Sequence, residues 1–550
     1  MEHLTIDGHN FYNMVVNACN KLDEQKDFVN SLNVFPVPDG DTGTNMSMTF
    51  RNAVIEIETV KNEGIGVIAK KLSKGALMGA RGNSGVILSQ ILRGIANGLD
   101  NLNEVNSVEF AKSIMEGSKF AYKAVMRPTE GTILTIIRSA GESAEKSKET
   151  DITKLMREVC DASEKMLNKT PDMLPVLKKA KVVDSGGMGL LIILKGMLEA
   201  LENDIKASLN GVKQTVSIAP KESSNVIEEE IKFGYCTEFI IHSGDSDVSK
   251  FRDYISKLGD SMIVVNVDEI TKVHVHTNDP GLVLSEAVKL GELSRIKIDN
   301  MREEHREVLG LKTEGSRVEE NLNDSKNEVE EEKDFGFIAV ASGEGISKIF
   351  KDLGVDFVIE GGQTMNPSTQ DILSSINSVN ARNVFVFPNN KNIIMAANQA
   401  SELSEKNVIV IPTKTIPQGI TCMTEFEYDG NAENNKEKLN NAIQKVKTGS
   451  ITYAVRDTEV DGKIVNANDI LGIVEDKIKE TGKNIYEVCE KVIDSMIDED
   501  SELISIYYGK DCSEIKAKEL AEKLEDKYSD FDVQLSEGKQ PLYYFIVSVE

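Results

Sequence analysis

A short acidic turn near the N-terminus carries the residue types that could bind a metal ion. Asp39 and Asp41 are separated by one glycine and follow two prolines, which stop any helix before them. An extended backbone can aim two such carboxylates at one point, and Gly40 and Gly43 permit the tight turn that this requires. Oxygen ligands on a loop suit a hard cation that also binds phosphate oxygens. The same residue types are common in surface turns, so the turn alone leaves both interpretations open.

Three further segments favour a binding site over a plain turn. The first is a glycine-rich turn at 78–85 that leads into an apolar pattern of helical spacing. A turn of this kind at the start of a helix points backbone N–H groups at an anion. The second segment, at 128–134, reads Pro-Thr-Glu-Gly-Thr-Ile-Leu, and the third, at 183–189, reads Val-Asp-Ser-Gly-Gly-Met-Gly and again precedes a helical stripe.

These four segments, in this order within one helical domain, resemble the nucleotide-binding L domain of dihydroxyacetone kinases. The stretch at 33–46, Asn-Val-Phe-Pro-Val-Pro-Asp-Gly-Asp-Thr-Gly-Thr-Asn-Met, and the greater chain length resemble the catalytic subunit of fatty acid kinases more closely. The resemblance runs the full length of the chain. It implies an ATP-dependent kinase that holds its nucleotide through Mg²⁺, with two ions in the dihydroxyacetone kinases.

The resemblance also implies roles for individual residues. Asp39 and Asp41 would bind Mg²⁺. The nearest candidate for the family's third aspartate is Asn33, which is uncharged and one residue out of register. The implied phosphate-binding residues are Thr42, Gly43, Thr44, Asn45, Asn83, Ser84 and Gly85. The implied adenosine-facing residues are Thr132, Ile133, Asp184, Ser185 and Gly186.

Arg81 lies inside the glycine-rich turn. Its guanidinium could neutralise charge that builds on a transferring phosphoryl group. It could equally be a solvated loop arginine. The sequence leaves both interpretations open.

A second candidate site combines Cys236 with His274 and His276. Side chains alternate along a strand, so a His-x-His pair places both imidazoles on one face. With the Cys236 strand adjacent, these residues could ligate Zn²⁺, or cysteine and histidine could act as nucleophile and base. A half-buried strand that merely carries two histidines is the third interpretation. The family resemblance, with a Cys and a His-x-His at matching places, favours a functional role without deciding which.

The composition indicates a soluble chain of three or four domains. It has 550 residues, of which 40% are hydrophobic and 28% charged. The net charge of −27 argues against nucleic acid and anionic membranes as partners. No signal peptide or membrane-spanning run is apparent, so we expect a cytoplasmic protein without membrane insertion. The six cysteines show no CxxC spacing, and all but Cys236 are expected to be buried thiols.

The hydrophobic periodicity divides the chain into parts. Helical spacing from an N-cap at Asp7 onward, almost without strand patterns, predicts an all-α bundle at 1–205. Strand patterns and one helix predict a small α+β domain at 229–312. Polar stretches at 206–228 and 313–333 are expected to be linkers, the second because it is acidic and almost without large apolar groups.

The last part, 334–550, is predicted to be an α/β domain. Short apolar runs at 337–340, 357–359, 384–387 and 408–411 alternate with helical segments, as in a parallel sheet covered on both faces. The sequence further predicts a long helix near 470–497 and strands at 504–508 and 543–548. Loops at 342–345, 361–369 and 387–390 follow strands, where open α/β sheets bind ligands, although sharp turns explain them equally well.

The leading hypothesis is a kinase that phosphorylates the carboxylate of a fatty acid to give an acyl phosphate. A carboxylate is already ionised at neutral pH, so no general base is needed, which agrees with only six histidines and none near Asp39. The resemblance alone supplies the fatty acid, and it implies a separate DegV-like fatty-acid-binding protein that the C-terminal domain docks. A homodimer is compatible with this resemblance. The alternatives are a kinase for a small hydroxylated substrate such as dihydroxyacetone and a nucleotide-gated scaffold without catalysis.

Overall fold

The computed structural model describes residues 2–33, 40–125, 127–209, 235–242, 249–255, 257–267, 270–300, 332–362, 365–460 and 463–550. Contacts group 1–213 with 330–550 in one compact unit and place 214–329 in a second. Most of both predicted linkers lies outside the described residues, and so does Asp39. The predicted domain borders therefore stay predictions.

The N-terminal part is a helical bundle, as predicted. Its core buries Phe11, Phe50 and Phe110. A capping box at Asp7 starts the first helix, as its sequence indicates. The helices are α1 Gly8–Glu24, α2 Lys26–Ser31, α3 Thr42–Ile57, α4 Ile65–Gly79, α5 Gly82–Gly98, α6 Ser107–Ala124, α7 Ile133–Lys146, α8 Ile152–Leu167, α9 Thr170–Met173, α10 Pro175–Ala180 and α11 Ser185–Glu202, with a 3-10 turn at Glu58–Val60. Two short antiparallel strands that the sequence did not predict, β1 Thr5–Asp7 and β2 Glu104–Asn106, pair ahead of α1 and α6.

The second unit is a small α+β fold, which confirms the predicted class. Its antiparallel sheet has the strand order β4-β5-β3-β6. The strands are β3 Tyr235–His242, β4 Gly259–Val267, β5 Ile270–Thr277 and β6 Glu292–Asn300, and the helices are α12 Ser249–Ile255 and α13 Pro280–Ala287. The sequence did not predict β6 or α12. Phe239, Phe251 and Val273 lie in its apolar core.

The C-terminal part begins with the predicted parallel sheet. Its strand order is β10-β9-β7-β8, and every pairing is parallel. Phe337 and Phe385 belong to one apolar core while Ile338 and Val384 belong to another, so both faces of the sheet are covered. The elements are β7 Lys333–Ala341, α14 Glu344–Asp352, β8 Phe357–Glu360, α15 Thr369–Ser378, β9 Ala381–Phe387, α16 Ile394–Leu403 and β10 Asn407–Val410.

A mostly antiparallel sheet of order β15-β14-β11-β18-β16-β17 completes this part. Only β16 and β17 pair in parallel. The remaining elements are α17 Ile416–Glu425, α18 Ala432–Ala442, β11 Lys447–Tyr453, β12 Thr458–Val460, β13 Lys463–Val465, β14 Ile470–Val474, β15 Lys477–Gly482, α19 Ile485–Asp494, β16 Leu503–Tyr508, α20 Glu514–Lys527, β17 Asp532–Glu537 and β18 Phe545–Val549. The strands predicted at 504–508 and 543–548 correspond to β16 and β18.

The long helix predicted near 470–497 is wrong. These residues form the β14–β15 hairpin followed by the shorter helix α19. Glu475 and Asp476 have φ values of 46° and 63°, and left-handed residues at both central positions are typical of a tight hairpin turn. Pairing of β14 with β11 outweighs the local apolar spacing, because strand preference depends on such distant partners.

Four of the cysteines that the structure describes confirm the predicted buried thiols, and Cys512 does not. Cys19, Cys160, Cys422 and Cys489 are buried, whereas Cys512 is half-buried and its Sγ donates to Tyr544 O at 2.9 Å. Burial raises the pKa of Cys19, Cys160 and Cys422 to about 12, so these thiols stay protonated. Within the described ranges, none of the helices combines the length and the apolar character that crossing a bilayer requires.

Close backbone contact between α5 and α6 supports the first stability prediction. A Cβ added at Gly94 would lie 2.4 Å from Glu116 O and 2.7 Å from Gly117 Cα, so backbone atoms would have to move. We expect Gly94→Ala to lower the free energy of unfolding of the bundle by about 1–3 kcal/mol, measured by urea denaturation with circular dichroism. Asn97→Ala, at an exposed position of the same helix, is the control and should change it by less than about 0.5 kcal/mol. Equal losses in the two variants would contradict the packing argument.

Candidate functional site

Asp41 lies directly before α3 and is 9% exposed. Its carboxylate does not cap its own helix. Instead, Oδ2 accepts a hydrogen bond of 2.5 Å from Nδ2 of Asn366, in the loop after β8. The positive end of the α3 dipole favours a negative charge at this position. Asp39, the predicted second ligand, lies outside the described residues, so the pairing of the two carboxylates stays a prediction.

The first amides of α3 are largely engaged by protein acceptors. The N–H groups of Gly43 and Thr44 donate to Asn30 Oδ1 at 2.8 and 3.2 Å. The Asn45 N–H donates to the Asp41 carbonyl at 2.8 Å. A Cβ at Gly43 would lie 2.1 Å from Lys26 O, so the glycine is required by the approach of α2. These three residues, which were predicted to bind phosphate, therefore already have partners for their backbone donors.

The glycine-rich turn starts α5 beside the Asp41 segment. Gly82 has a φ of 56°, and a Cβ there would lie 2.5 Å from Asn45 Nδ2, so both conformation and space require glycine. Asn83 and Ser84 line the same cleft as Asp41. The first hydrogen bond at the start of α5 runs from the Gly85 N–H to Arg81 O. The backbone N–H groups of Asn83 and Ser84 lie before it, and no acceptor among the described residues takes a hydrogen bond from them. They remain as hydrogen-bond donors at the start of α5.

Arg81 is docked onto the C-terminal part of the chain. Its Nη1 donates to Asn366 O at 2.7 Å, and its Nη2 lies 3.3 Å from Asp371 Oδ2. Its backbone forms an isolated bridge with Ser368, and the Thr369 N–H donates to Ala80 O at 3.1 Å. Neither interpretation from the sequence, phosphoryl contact or solvated arginine, anticipated this contact.

The start of α11 joins α3 through hydroxyl contacts. Ser185 Oγ lies 3.3 Å from Asn33 Oδ1 and 3.4 Å from Thr42 Oγ1. Thr42 Oγ1 in turn donates to Asn33 Oδ1 at 2.8 Å. A Cβ at Gly189 would lie 2.7 Å from Met46 Sδ, so the two helices pack closely. The start of α11 therefore contacts Asn33 and Thr42, the residues on either side of the acidic turn.

Asp184 caps α11 and links it to α7. Its Oδ2 accepts from the Gly187 N–H at 2.7 Å. Burial raises the pKa of Asp184 from its ordinary value of 3.8 to about 6, although the N–H groups of Gly187 and Ile133 donate to the carboxylate and oppose that rise. A Cβ at Gly186 would meet Ile133 Cβ at 3.3 Å. These contacts place the 132–133 and 184–186 segments side by side.

The Glu130–Thr132 turn is ordered by its own contacts. Glu130 accepts two hydrogen bonds from Arg138, at 2.8 and 2.9 Å, and one from Thr135 at 2.7 Å. Burial raises the pKa of Glu130, but hydrogen bonds from Thr135 and Tyr122 and the charge of Arg138 outweigh it and hold the pKa below its usual range. Thr132 caps α7. Glu130 therefore shapes the turn.

A cleft of about 790 Å³ lies between the bundle and the C-terminal part. Loops that follow β9 and β10 line it, as expected at the carboxyl ends of parallel strands. Lys414 is exposed there and makes no ion pair with any described residue, whereas Lys391 pairs with Asp476 at 2.7 Å. The lining residues include Asn33, Gly40, Asp41, Thr42, Asn45, Asn83, Ser84, Asn389, Asn390, Lys391, Asn392, Pro412, Lys414 and Thr415.

Sequence reasoning missed two residues of this site. Asn366 lies in a loop that was noted after β8, but its partner is 325 positions away. Lys414 has no motif around it, and only its place after a buried strand could have suggested it. Both come from the C-terminal part, where the sequence could not distinguish a turn from a binding loop.

The second unit brings the other predicted cluster into register. Cys236 pairs with His276, and Glu238 pairs with His274, across the antiparallel strands β3 and β5. The two strands are adjacent, which is the condition that the sequence interpretation required. The described side chains include no group of three or more His, Cys, Asp or Glu that could hold a metal ion, and Cys236, His274, His276 and Asp39 lie outside that set. Zn²⁺ ligation and covalent chemistry both stay predictions.

Family models match three successive parts of the chain. The DAK2 domain matches 36–199. The middle domain of the FakA-like fatty acid kinase proteins matches 232–308, and their C-terminal domain matches 336–550. Two solved structures give weaker matches. The fatty acid binding protein DegV from Bacillus subtilis is 11% identical with a TM-score of 0.32, covering 40% of this chain and 99% of its own. The dihydroxyacetone kinase of C. freundii is 16% identical with a TM-score of 0.27, covering 34% of each.

Full-length relatives complete the comparison. Protein YloV of Bacillus subtilis is 44% identical over 558 residues and covers 99% of both chains. An uncharacterised protein of Staphylococcus saprophyticus is 42% identical over 554 residues, and one of Staphylococcus aureus is 40% identical over 554 residues, each again covering 99% of both chains. Together with the three domain models, this full-length identity means that the chain belongs to the FakA-like family of fatty acid kinase proteins.

Proposed function

We propose that this chain is a cytoplasmic ATP-dependent kinase that transfers a phosphoryl group to the carboxylate of a fatty acid, which a DegV-like binding protein presents. The observation that carries the proposal is a cleft lined by Asp41 and by the starts of α3 and α5, with the start of α11 in contact with α3 through Ser185. Helix N-termini favour phosphate, and a carboxylate beside them favours a divalent cation. The choice of a fatty acid as acceptor rests on family membership.

The residues around Asp41 fit Mg²⁺. Asn83 lines the same cleft, and its Oδ1 is buried and accepts no hydrogen bond from the described residues. A buried acceptor without a donor costs about 1–3 kcal/mol, and a cation would remove that cost. Asp39 and Asp41 would hold the ion, which when bound supplies neutralisation of phosphate charge. Asn33 Oδ1 already accepts hydrogen bonds from the hydroxyl groups of Thr42 and Ser185, so Asn33 is not assigned as a metal ligand.

Groups of the chain itself would bind and orient the reactants. The amides of Asn83 and Ser84 would donate to nucleotide phosphates, while the 132–133 and 184–186 segments would face the nucleoside. The Lys414 ammonium offers a positive charge in the cleft. A carboxylate oxygen of the fatty acid then attacks the γ-phosphorus, the new O–P bond forms as the bond to the β,γ-bridging oxygen breaks, and ADP leaves with that electron pair. No proton is transferred, so positioning and charge neutralisation suffice.

The acceptor is tested by comparing three reactions. Purified full-length protein is given ATP and Mg²⁺ with a fatty-acid-loaded DegV-like carrier, with dihydroxyacetone, or with neither. We expect ADP release and an acyl phosphate, trapped as a hydroxamate by hydroxylamine, only with the loaded carrier. Turnover of dihydroxyacetone alone would reassign the acceptor to a small hydroxylated molecule. ATP-dependent carrier binding without any turnover would instead identify a scaffold.

Asp41→Asn removes the charge at the centre of the proposed metal site while keeping the size of the side chain. We expect kcat for acyl phosphate formation to fall at least about 100-fold, because charge neutralisation at the phosphoryl group depends on this carboxylate. Asp7→Asn is the matched control, since Asp7 also precedes a helix of the bundle and asparagine caps equally well. Comparable activity in both variants would refute the role of Asp41.

The proton on Asp184 predicts a pH dependence of stability. Because its pKa rises from 3.8 to about 6 on folding, the folded protein holds a proton that the unfolded chain has released between these values. The contribution of Asp184 to stability therefore falls as pH rises through this window and levels off above it. Asp184→Asn lacks this titration, so its melting temperature relative to wild type, without nucleotide or metal, should rise from pH 4 to 6 and then stay constant.

Asp151→Asn is the control for that measurement, because Asp151 also caps a helix. Burial raises the pKa of Asp151, but the N–H groups of His3 and Thr153 outweigh it and hold the pKa below 3.8. The Asp151 carboxylate therefore stabilises the folded protein above pH 3.8, and this stabilisation is lost only in more acidic solution. The difference curve of this variant should therefore be flat above roughly pH 5. A flat curve for Asp184→Asn as well would contradict the assigned proton.

A further inference from the structure

We propose that Asn366, from the C-terminal α/β part, is a positioning residue that orients Asp41 for a divalent cation. The metal site is then complete only when the loop after β8 is docked on the helical bundle. This inference rests on the proposed function, because it assumes that Asp41 is a metal ligand. It adds a residue from outside the kinase-type bundle to the metal site.

Asn366 is bound to the bundle through both its side chain and its backbone. It is 1% exposed. Its Nδ2 lies 2.5 Å from Asp41 Oδ2 and 3.4 Å from Asn45 Oδ1, and its carbonyl accepts from Arg81 Nη1 at 2.7 Å. The residue therefore touches both segments that the sequence analysis placed at the phosphate site, the acidic turn and the glycine-rich turn.

The loop that carries Asn366 is held in place by the residues that follow it. The 3.3 Å ion pair between Arg81 and Asp371 and the backbone bridge to Ser368 fix its later residues. Ser368 and Asp371 also form the capping box that starts α15, so the anchor is continuous with a helix. On the bundle side, a Cβ at Gly82 would lie 3.2 Å from Asn366 Nδ2, so the absence of a side chain there makes room for the amide.

A fixed amide donor constrains the carboxylate that it contacts. Donation to Oδ2 restricts rotation of the Asp41 carboxylate about its Cβ–Cγ bond. Partners of this kind orient the direct ligands of protein metal sites, and their loss typically weakens metal binding about 10–100-fold. Competition between this N–H and a cation for Oδ2 would have the opposite effect, so that losing the amide would tighten metal binding. The two effects predict opposite changes when the amide is removed.

The experiment measures Mn²⁺ binding to the full chain without nucleotide, from the electron paramagnetic resonance signal of free Mn²⁺. We expect Asn366→Ala to raise the Mn²⁺ dissociation constant about 10–100-fold. Asn407→Ala is the matched control, because Asn407 is exposed at the start of β10 and its amide contacts Asn383. It should leave the dissociation constant unchanged. Melting curves of the metal-free proteins report whether each variant is folded.

A second variant protects the test against a folding defect in the first. Arg81→Gln releases the Asn366 carbonyl without removing the amide, so it should weaken Mn²⁺ binding in the same direction but less. If Asn366→Ala does not fold, the Mn²⁺ dissociation constant of Arg81→Gln decides whether the inference holds. Unchanged or tighter Mn²⁺ binding in the folded variants overturns the inference.

The two proposals fail separately. Weaker Mn²⁺ binding in Asn366→Ala, together with no acyl phosphate from the wild type, would retain the positioning role and reject the acceptor. Acyl phosphate from the wild type, together with unchanged Mn²⁺ binding in the variant, would retain the kinase and reject the positioning role.

Discussion

The hydrogen bond between Asp41 and Asn366 is the interaction on which the arrangement of the larger unit depends. Asp41 is 9% exposed and Asn366 1% exposed, so their hydrogen bond is largely shielded from bulk water. A hydrogen bond to a charged group contributes about 1.5–3 kcal/mol, and losing either partner leaves the other buried without it. The helical bundle and the parallel sheet are therefore energetically dependent on each other at the point where the proposed chemistry occurs.

Other contacts along the same interface point to the same region. Ala80 and Val86 of the bundle lie in one apolar cluster with Ile338 and Val340 of the sheet. Arg456 donates to the carbonyls of Ser31 and Asn33, just before the acidic turn. Because binding at one site and docking at another are linked reciprocally, anything that stabilises this interface also favours the position of Asp41 that the interface holds.

Local patterns account for what the sequence predicted well. Asp7 and Asp184 start helices through side-chain caps that depend on residues three positions away, so a short window contains the whole determinant. The glycines at 82 and 186 mark places where a helix start approaches another helix closely. For this reason the sequence identified the acidic and glycine-rich segments that line the cleft on the side of the bundle.

Distant partners account for what the sequence missed. The apolar spacing of β14 is compatible with a helix, and only its pairing with β11 and the left-handed turn at Glu475 and Asp476 make it a strand. Asn366 and Arg81 likewise acquire their roles from each other across 285 positions. Gly43 was attributed to phosphate binding, yet the approach of Lys26 O is sufficient to require it. A glycine pattern thus indicates where something packs closely against the backbone, but it does not indicate whether a ligand or another chain segment packs there.

The charge distribution limits how a chain with a net charge of −27 can hold an anionic nucleotide. Exposed charges more than about 8–10 Å away are largely screened at physiological ionic strength, so the cleft itself must supply the attraction. Two of its lysines are neutralised, Lys391 by Asp476 and Lys447 by Asp498. Lys414 is the remaining lysine among the described lining residues, and one positive charge is too few to balance a triphosphate. A divalent cation at Asp41 would supply the missing positive charge, so metal binding and nucleotide binding at this cleft are expected to be mutually dependent.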